Sequence, residues 1–286
     1  MIATDDTRCL SCGLCAADCS VGAIRSDEGG RPTVAHAEAC EHCGHCVAAC
    51  PTGALTHEAL EPAAFGPFDT TGITSATMAS FLSSKRSCRQ FQRRPLSRED
   101  VGRLLGVARM APSSKNLQER GYIVVTDPAK LEEVRRVVVR HTRRLEVLLR
   151  WLRRPPLCWV LSADAREAID KIHLSFLSTL EREDRGEDSI FHGAPCAVFL
   201  YAVAADALGK DNALAAQHYL MLQAQAMGLG SVILGYAQVA ARKLTRTLEV
   251  PREFRIYGAV ALGHPAVRYH RTVYRHEPRV HWFEAA

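Results

Sequence analysis

From about Ala79 onward the chain alternates between helical and strand periodicities. Val101, Leu104, Leu105 and Ala108 recur at i, i+3, i+4 and i+7, so they share one helix face, and Ser97 just ahead of them is a natural N-cap. Tyr122–Thr126 (YIVVT) predicts a short buried strand. Leu131 to Trp151 has a helical pattern dense in arginine, mostly a solvated face, and Pro155-Pro156 breaks it. Ala168–Glu183 predicts a second amphipathic helix, and Ala197–Val203, Ser231–Leu234 and Ile256–Leu262 predict strands. Ala213–Met227 is alanine-rich and almost uncharged, ended by Gly228 and Gly230, so it should be buried in the fold or between subunits. Val280 and Trp282 alternate near the end and predict a terminal strand. Helices and strands are mixed throughout, which is an α+β pattern.

The first sixty residues follow another rule. Cys9, Cys12, Cys15 and Cys19, then Cys40, Cys43, Cys46 and Cys50, form two C-x2-C-x2-C-x3-C quartets, the second followed by Pro51. Two such quartets in one short segment are the ligand set of a pair of [4Fe–4S] clusters. Zinc is the competing reading, but a zinc site takes four ligands in two pairs and has no use for a third Cys at x2 and a fourth at x3. Cys9–Ile24 aligns with Cys40–Leu55 at eight identical positions of sixteen, including Gly13/Gly44 and Gly22/Gly53. A repeat of this kind implies two equivalent half-modules. His42 and His45 stand between the cysteines as exposed loop residues or as hydrogen-bond partners of a cluster. Glu61 to Thr77, with its Pro, Gly and Thr, is a linker by composition.

Charge changes this picture in one respect. The net charge is +5, but residues 1–60 hold three basic and eight acidic residues, a net of −5 that leaves +10 on the remainder. A uniform basic surface for nucleic acid is excluded; an acidic cluster module joined to a basic body that holds an anion fits. No apolar run is long enough to span a bilayer, and Met1 to Arg8 has no apolar leader core. The expectation is a cytoplasmic protein with reduced thiolates.

The basic body has its own constellation. Lys85-Arg86-Ser87-Cys88-Arg89 sets cations and a hydroxyl together, and Pro112-Ser113-Ser114-Lys115-Asn116-Leu117-Gln118 follows after the predicted helix. Each run alone is a common surface or turn. Together they resemble the nitroreductase family of FMN enzymes over about residues 81–286, and the cysteine segment resembles bacterial two-cluster ferredoxins. The resemblance implies an α+β fold in which a small ferredoxin-like two-cluster domain (1–60) is joined by a linker (61–78) to a nitroreductase-like FMN domain (79–286) that dimerises.

Further implications come with that resemblance. In two-cluster ferredoxins the fourth Cys of each quartet serves the other cluster, so the sets are Cys9, Cys12, Cys15 and Cys50, and Cys40, Cys43, Cys46 and Cys19. Ser20 stands where that family usually has Pro. Lys85, Arg86 and Ser87 match residues that bind the FMN phosphate and ribityl chain, where a dianion wants charge-assisted donors. Arg89 matches the cation beside the flavin pyrimidine edge, placed to stabilise the reduced flavin. Pro112, Ser113, Ser114 and Asn116, with Gln118 a looser match, correspond to a loop that reaches FMN from the partner subunit. Gly228–Gly235 resembles the strand and loop behind the flavin, implying backbone donation from Leu234 or Gly235. Arg275, or alternatively Arg271, matches the C-terminal phosphate contact, and Arg279–Glu284 matches a strand lent to the partner's sheet.

The implied function is a reductase. Single electrons would pass from a low-potential donor, a ferredoxin or similar, through two [4Fe–4S] clusters to FMN at the interface of a homodimer, then to a small organic acceptor such as a nitroaromatic, quinone, enone or halogenated aromatic. NAD(P)H is the alternative donor. Rival readings are the same route run in the oxidising direction, a non-catalytic flavin and electron-transfer module feeding a partner complex, and clusters with a structural or oxygen-sensing role. Residues 127–192, which would select the acceptor, carry no motif. Cys88 is a small packing residue in this reading, Cys158 and Cys196 are core residues, Trp151 and Trp159 are pocket or core residues, and Tyr236 is a candidate substrate contact.

Overall fold

The computed structural model describes residues 2–284. The chain divides into two compact units, Met1–Ile73 with Pro112–Gln118, and Thr74–Ala111 with Glu119–Ala286.

The cysteine repeat becomes a repeat of backbone in the first unit. Strand β1 (Ile2–Thr4) is followed by the one-turn helix α1 (Leu14–Ala17), strands β2 (Ile24–Ser26) and β3 (Pro32–Val34), helix α2 (His45–Ala48) and strand β4 (Leu55–His57). β1 pairs antiparallel with β4, and β2 with β3. Equivalent positions repeat their conformation: Ser11 and His42 have φ of 53° and 50°, Gly13 and Gly44 have 71° and 75°, and Gly22 and Gly53 have 65° and 61°. Glycine is used at the latter two pairs because a left-handed residue there carries no Cβ penalty. The apolar core is small, centred on Ala23, Ile24, Ala54, Leu55 and Cys15. A unit of this size with so little core depends on a staple such as a bound metal group. The segment predicted as a linker partly joins this unit: Pro62–Ala64 forms a short 3-10 turn, and the Phe65 ring lies where a Cβ on Gly44 would come within 2.9 Å of it.

The second unit begins at helix α3 (Ser75–Ser84), whose N-cap Thr74 and Thr77 form a reciprocal capping box. Helix α4 (Arg98–Ala108) starts where predicted, with Ser97 Oγ accepting the Asp100 N–H, and it buries Val101, Leu104 and Ala108. Then follow β5 (Arg120–Val125), α5 (Pro128–Leu152), α6 (Ala163–Asp184), β6 (Cys196–Val203), α7 (Gly209–Ala226), β7 (Gly230–Ile233), α8 (Gly235–Val239), α9 (Ala241–Thr247) and β8 (Phe254–Gly263). The strands make one antiparallel sheet in the order β5-β6-β8-β7.

Both faces of that sheet are covered, so its central strands read as apolar runs rather than alternations. Along β6, Ala197 and Phe199 point to one side with Val134, Val138 and Leu244; Val198 and Leu200 point to the other with Leu104, Ala216 and Leu220. Each such fully buried aliphatic chain contributes roughly 1.5–3 kcal/mol. Helix α7 is buried within this unit, as its composition predicts; its Gln217 is 1% exposed, and its Oε1 accepts the Ala259 N–H at 3.1 Å near a register shift in β6.

Most arginines of the α5 run are solvated, as expected; Arg135 is half-buried and pairs with Glu183 at 2.8 Å, while Arg143 and the C-capping Arg153 pair at the surface with Asp184 and Asp170, all three carboxylates lying on α6. Trp151 and Trp159 are exposed rather than core, and Arg154 lies 5.0 Å from the Trp151 ring centroid. Within the single chain Arg279–Glu284 forms no strand, and Trp282 and Phe283 are exposed. No helix among the described residues is long and apolar enough to cross a membrane.

Candidate functional site

The cysteines gather into groups. Cys9, Cys12, Cys15 and Cys50 line one small cavity, with Leu10, Pro51 and Leu55 among its walls. Burial pushes the Cys15 thiol above its ordinary value, and the neighbouring Cys12 and Cys50 add to that. Burial raises Cys46 in the same way, reinforced by Cys43 and Cys40. Crowded half-buried thiols of this kind are poor company for one another and good company for a cation-rich cluster. Burial also opposes ionisation of Cys50, but the Thr52 hydroxyl and the N–H groups of Ala54, Thr52 and Leu55 outweigh it and lower its pKa. The Ala54 N–H donates to Cys50 Sγ at 3.2 Å. Cys19 follows α1, whose end meets α2 where Asp18 faces His45 at 3.8 Å.

Loop Pro112–Gln118 belongs to this same unit. Asn116 Nδ2 donates to the His42 carbonyl at 2.9 Å, within the loop between Cys40 and Cys43. Lys115, Asn116 and Gln118 have φ of 49°, 50° and 51°, and Gln118 N–H donates to Ser113 Oγ at 3.0 Å. Ser114 opens the short 3-10 turn Ser114–Asn116, and Pro112 precedes it.

In the second unit the basic motif lies along β7. Ser87 forms a parallel bridge with Ser231, and the Cys88 N–H donates to the Ser231 carbonyl at 3.1 Å. Lys85 Nζ donates to the Arg86 carbonyl at 2.6 Å and reaches the Ser231 carbonyl at 3.4 Å; burial holds its pKa below the ordinary value, Cys88 opposing and Arg86 adding. Two buried polar atoms here have no partner among the described residues, Arg86 Nε and Ser231 Oγ. Buried polar groups are normally paired, so these two call for an acceptor and a hydrogen-bonding partner. Cys88 is 2% exposed, with its Sγ on the Gln90 carbonyl at 3.2 Å, which fits a packing residue. Cys196 is fully buried in the core, which pushes its thiol up to about 12. Cys158, by contrast, is only partly buried.

Beside this motif opens a cavity of about 660 Å³. Arg89, Leu234 and Gly235 line it, as do Phe176, Ile190 and Val232. The Leu234 N–H is already taken by the Ala259 carbonyl at 2.9 Å. Gly235 opens α8, so it carries one of the N–H groups that a helix start leaves without an intrahelical acceptor. A Cβ on Gly235 would meet nothing within 4 Å.

Sequence reasoning missed the α6 wall: Lys171, Ser175, Thr179 and Arg182, with His192 beyond it. Burial pushes the His192 imidazole below its ordinary value, against the pull of Asp188. An amphipathic pattern shows that α6 has two faces but not what either face meets. Tyr236 does line the cavity, and its hydroxyl is held by Thr179 Oγ1 at 2.8 Å and by Ser175 Oγ at 2.7 Å. Arg275 Nη1 donates to the Tyr274 carbonyl at 3.4 Å. It is the Arg271 carbonyl that accepts from Arg86 Nη2, at 3.4 Å.

An antiparallel sheet covered by helices on both faces, preceded by a paired-cysteine module, defines an α+β protein with a ferredoxin-type N-terminal domain. Residues 82–264 match the model of the nitroreductase family and residues 8–54 that of the 4Fe-4S dicluster domain. The chain belongs to the nitroreductase family.

Its relatives include an FMN reductase [NAD(P)H] of Bacillus subtilis, 26% identical over 65% of this chain, and an NADH dehydrogenase of Thermus thermophilus, 30% identical over 64% of this chain and 83% of its own. The match spans 65% of the Bacillus protein's length, a little under two thirds. Among solved structures, a nitroreductase with bound FMN from Desulfitobacterium hafniense shares the fold with a TM-score of 0.53 at 18% identity, covering 71% of this chain and 96% of that one. An iodotyrosine deiodinase bound to FMN and 3-iodo-L-tyrosine does so with a TM-score of 0.54 at 20% identity, covering 72% and 99%.

Proposed function

We propose that this protein is an FMN-dependent oxidoreductase that takes single electrons from a low-potential donor through two [4Fe–4S] clusters and delivers them through FMN to a small organic acceptor. The clusters carry electrons singly and the flavin exchanges them singly or in pairs, which is the chemistry these groups supply when bound. Cys9, Cys12, Cys15 and Cys50 would hold one cluster, and Cys40, Cys43, Cys46 and Cys19 the other. Lys85, Arg86, Ser87 and the Ser231 hydroxyl would hold the phosphate and ribityl chain, satisfying the two buried atoms that lack partners. Arg89 would stabilise negative charge at the flavin edge, and the Gly235 N–H would donate to the ring. Pro112, Ser113, Ser114 and Asn116 would complete the site across a homodimer, with Arg275 available once the tail meets a partner. Reduced thiolates for iron imply a cytoplasmic setting.

The observation that most supports the wiring is the Asn116 Nδ2 bond to the His42 carbonyl, 2.9 Å. It ties the loop assigned to the flavin by resemblance to the loop that carries two ligands of the second quartet. The test is anaerobic purification and stopped-flow absorbance. About eight irons per FMN are expected, and reduced ferredoxin should reduce the flavin quickly in the wild type and slowly in Cys12→Ala. Equal rates in the two, or full-speed flavin reduction by NADPH alone, would overturn the wiring. Flavin that reduces but never reoxidises with nitroaromatic, quinone, enone or halogenated acceptors would favour a non-catalytic carrier instead.

A further inference from the structure

One buried histidine lies against the cysteine centre without being needed as a ligand. His57 ends β4, where the strand alternation turns Leu55 and His57 inward and Thr56 outward. It is 6% exposed, and its neighbour across the ladder is Ile2. Its Nδ1 accepts the Ala59 N–H at 3.1 Å. A neutral imidazole has one accepting nitrogen and one donating nitrogen, so this bond leaves the proton on Nε2. That Nε2 lies 3.6 Å from Cys40 Sγ, within reach of an N–H···S bond. The His42 ring stands edge-on to His57 with centroids 5.1 Å apart and helps to fix the ring plane. The geometry is therefore that of a ligand sulfur with a dedicated donor whose tautomer is set by the backbone.

We propose that His57 is a positioning residue that raises the reduction potential of the cluster held by Cys40, Cys43, Cys46 and Cys19, by donating an Nε2–H bond to the Cys40 thiolate. The inference rests on the reading that the second quartet holds a [4Fe–4S] cluster. Reduction adds negative charge that is shared with the thiolate sulfurs, and an N–H aimed at one of them stabilises the reduced state more than the oxidised one. The internal repeat supplies a control. The position equivalent to His57 in the first half is Ser26, which is exposed and ends β2. The effect should therefore be confined to one of the two clusters. Cys40, His42 and His57 also bring ligand atoms within 4.8 Å of one another, the arrangement of a possible separate ion. The Cys40 sulfur is already committed to the complete quartet, so the donor role is the one that leaves every cysteine with its cluster.

The experiment is an anaerobic redox titration of the full-length holoprotein followed by EPR, with iron and zinc quantified. His57→Phe keeps a ring of similar volume and removes the donor; His57→Gln returns an N–H. His57→Phe is expected to keep about eight irons and to lower one of the two midpoints, changing the reduced-to-oxidised ratio at fixed potential about tenfold, or about 59 mV for one electron. The other midpoint should stay put, and His57→Gln should recover most of the shift. Two unmoved midpoints in His57→Phe with iron intact would overturn the proposal. Loss of four irons in both variants would also overturn it, by making His57 a holder of the cluster rather than a tuner. A stoichiometric zinc ion lost in both His57→Phe and His42→Ala would overturn it in favour of a separate site. Wild-type protein without about eight irons would instead defeat the cluster assignment itself.

Discussion

Gly235 is the position where a substitution separates the proposed flavin site from the fold most cleanly. It is exposed to the 660 Å³ cavity at the start of α8, and a Cβ there meets nothing within 4 Å. Its φ is not left-handed, so a side chain brings no backbone strain. In the folded apoprotein, Gly235→Leu should be neutral or slightly stabilising, because Gly is about 0.8–1 kcal/mol worse than Ala in a helix. Bound FMN meets a different situation, since the new isobutyl group would occupy the volume its ring needs. Overfilling a packed site costs about 1–3 kcal/mol, which corresponds to a roughly 5- to 150-fold larger dissociation constant. The assay is fluorescence titration of the apoprotein with FMN, alongside thermal unfolding of the same apoprotein and an iron count on the purified holoprotein. Weakened flavin binding with unchanged unfolding temperature and unchanged iron is the expected outcome. Wild-type FMN affinity in Gly235→Leu would refute the placement of the flavin against Leu234 and Gly235.

Other consequences are equally direct. Gly121→Ala should lower stability by about 1–3 kcal/mol in thermal unfolding, since its Cβ would come 2.0 Å from the end of the Tyr201 ring across the β5–β6 pair and the ring must swing aside. Lys85 has its pKa lowered by burial from an ordinary 10.5, so the unfolded chain holds that proton more tightly than the folded one. FMN-free protein should therefore gain stability as pH rises through the lowered value toward 10.5, a gain absent from Lys85→Met and suppressed by FMN; melts at about pH 8 and about pH 10 measure it. Asn116→Gly keeps the positive φ but removes the bond to His42, and should slow ferredoxin-driven flavin reduction more than NADPH-driven reduction. Equal slowing of the two would count against that loop as part of the electron route.

Cluster chemistry was the most legible part of this chain, because ligand spacing is a local property and glycines at Gly13, Gly44, Gly22 and Gly53 mark the turns that spacing requires. The Ser97 cap and the α4 face were equally readable, since a side-chain cap and an i, i+4 stripe act within one or two turns. The sheet strands were visible as apolar runs, but their order was not, because pairing of β6 between β5 and β8 is decided by which faces the helices cover. The same limit hid the cavity wall on α6. Ser175, Thr179 and Lys171 look like ordinary polar positions until α6 walls the cavity and the Tyr236 hydroxyl meets those of Ser175 and Thr179.

Local sequence thus determined the two cysteine quartets, the basic run Lys85–Arg89 and the helix starts, each governed by contacts a few residues apart. Only the tertiary structure decided that Pro112–Gln118 belongs with the cysteine module, that Arg135 of α5 pairs with Glu183 of α6, that Trp151 and Trp159 are exposed, and that His57 faces Cys40. These depend on long-range packing and on which buried polar atoms remain to be satisfied, quantities that exist only once the chain has closed on itself.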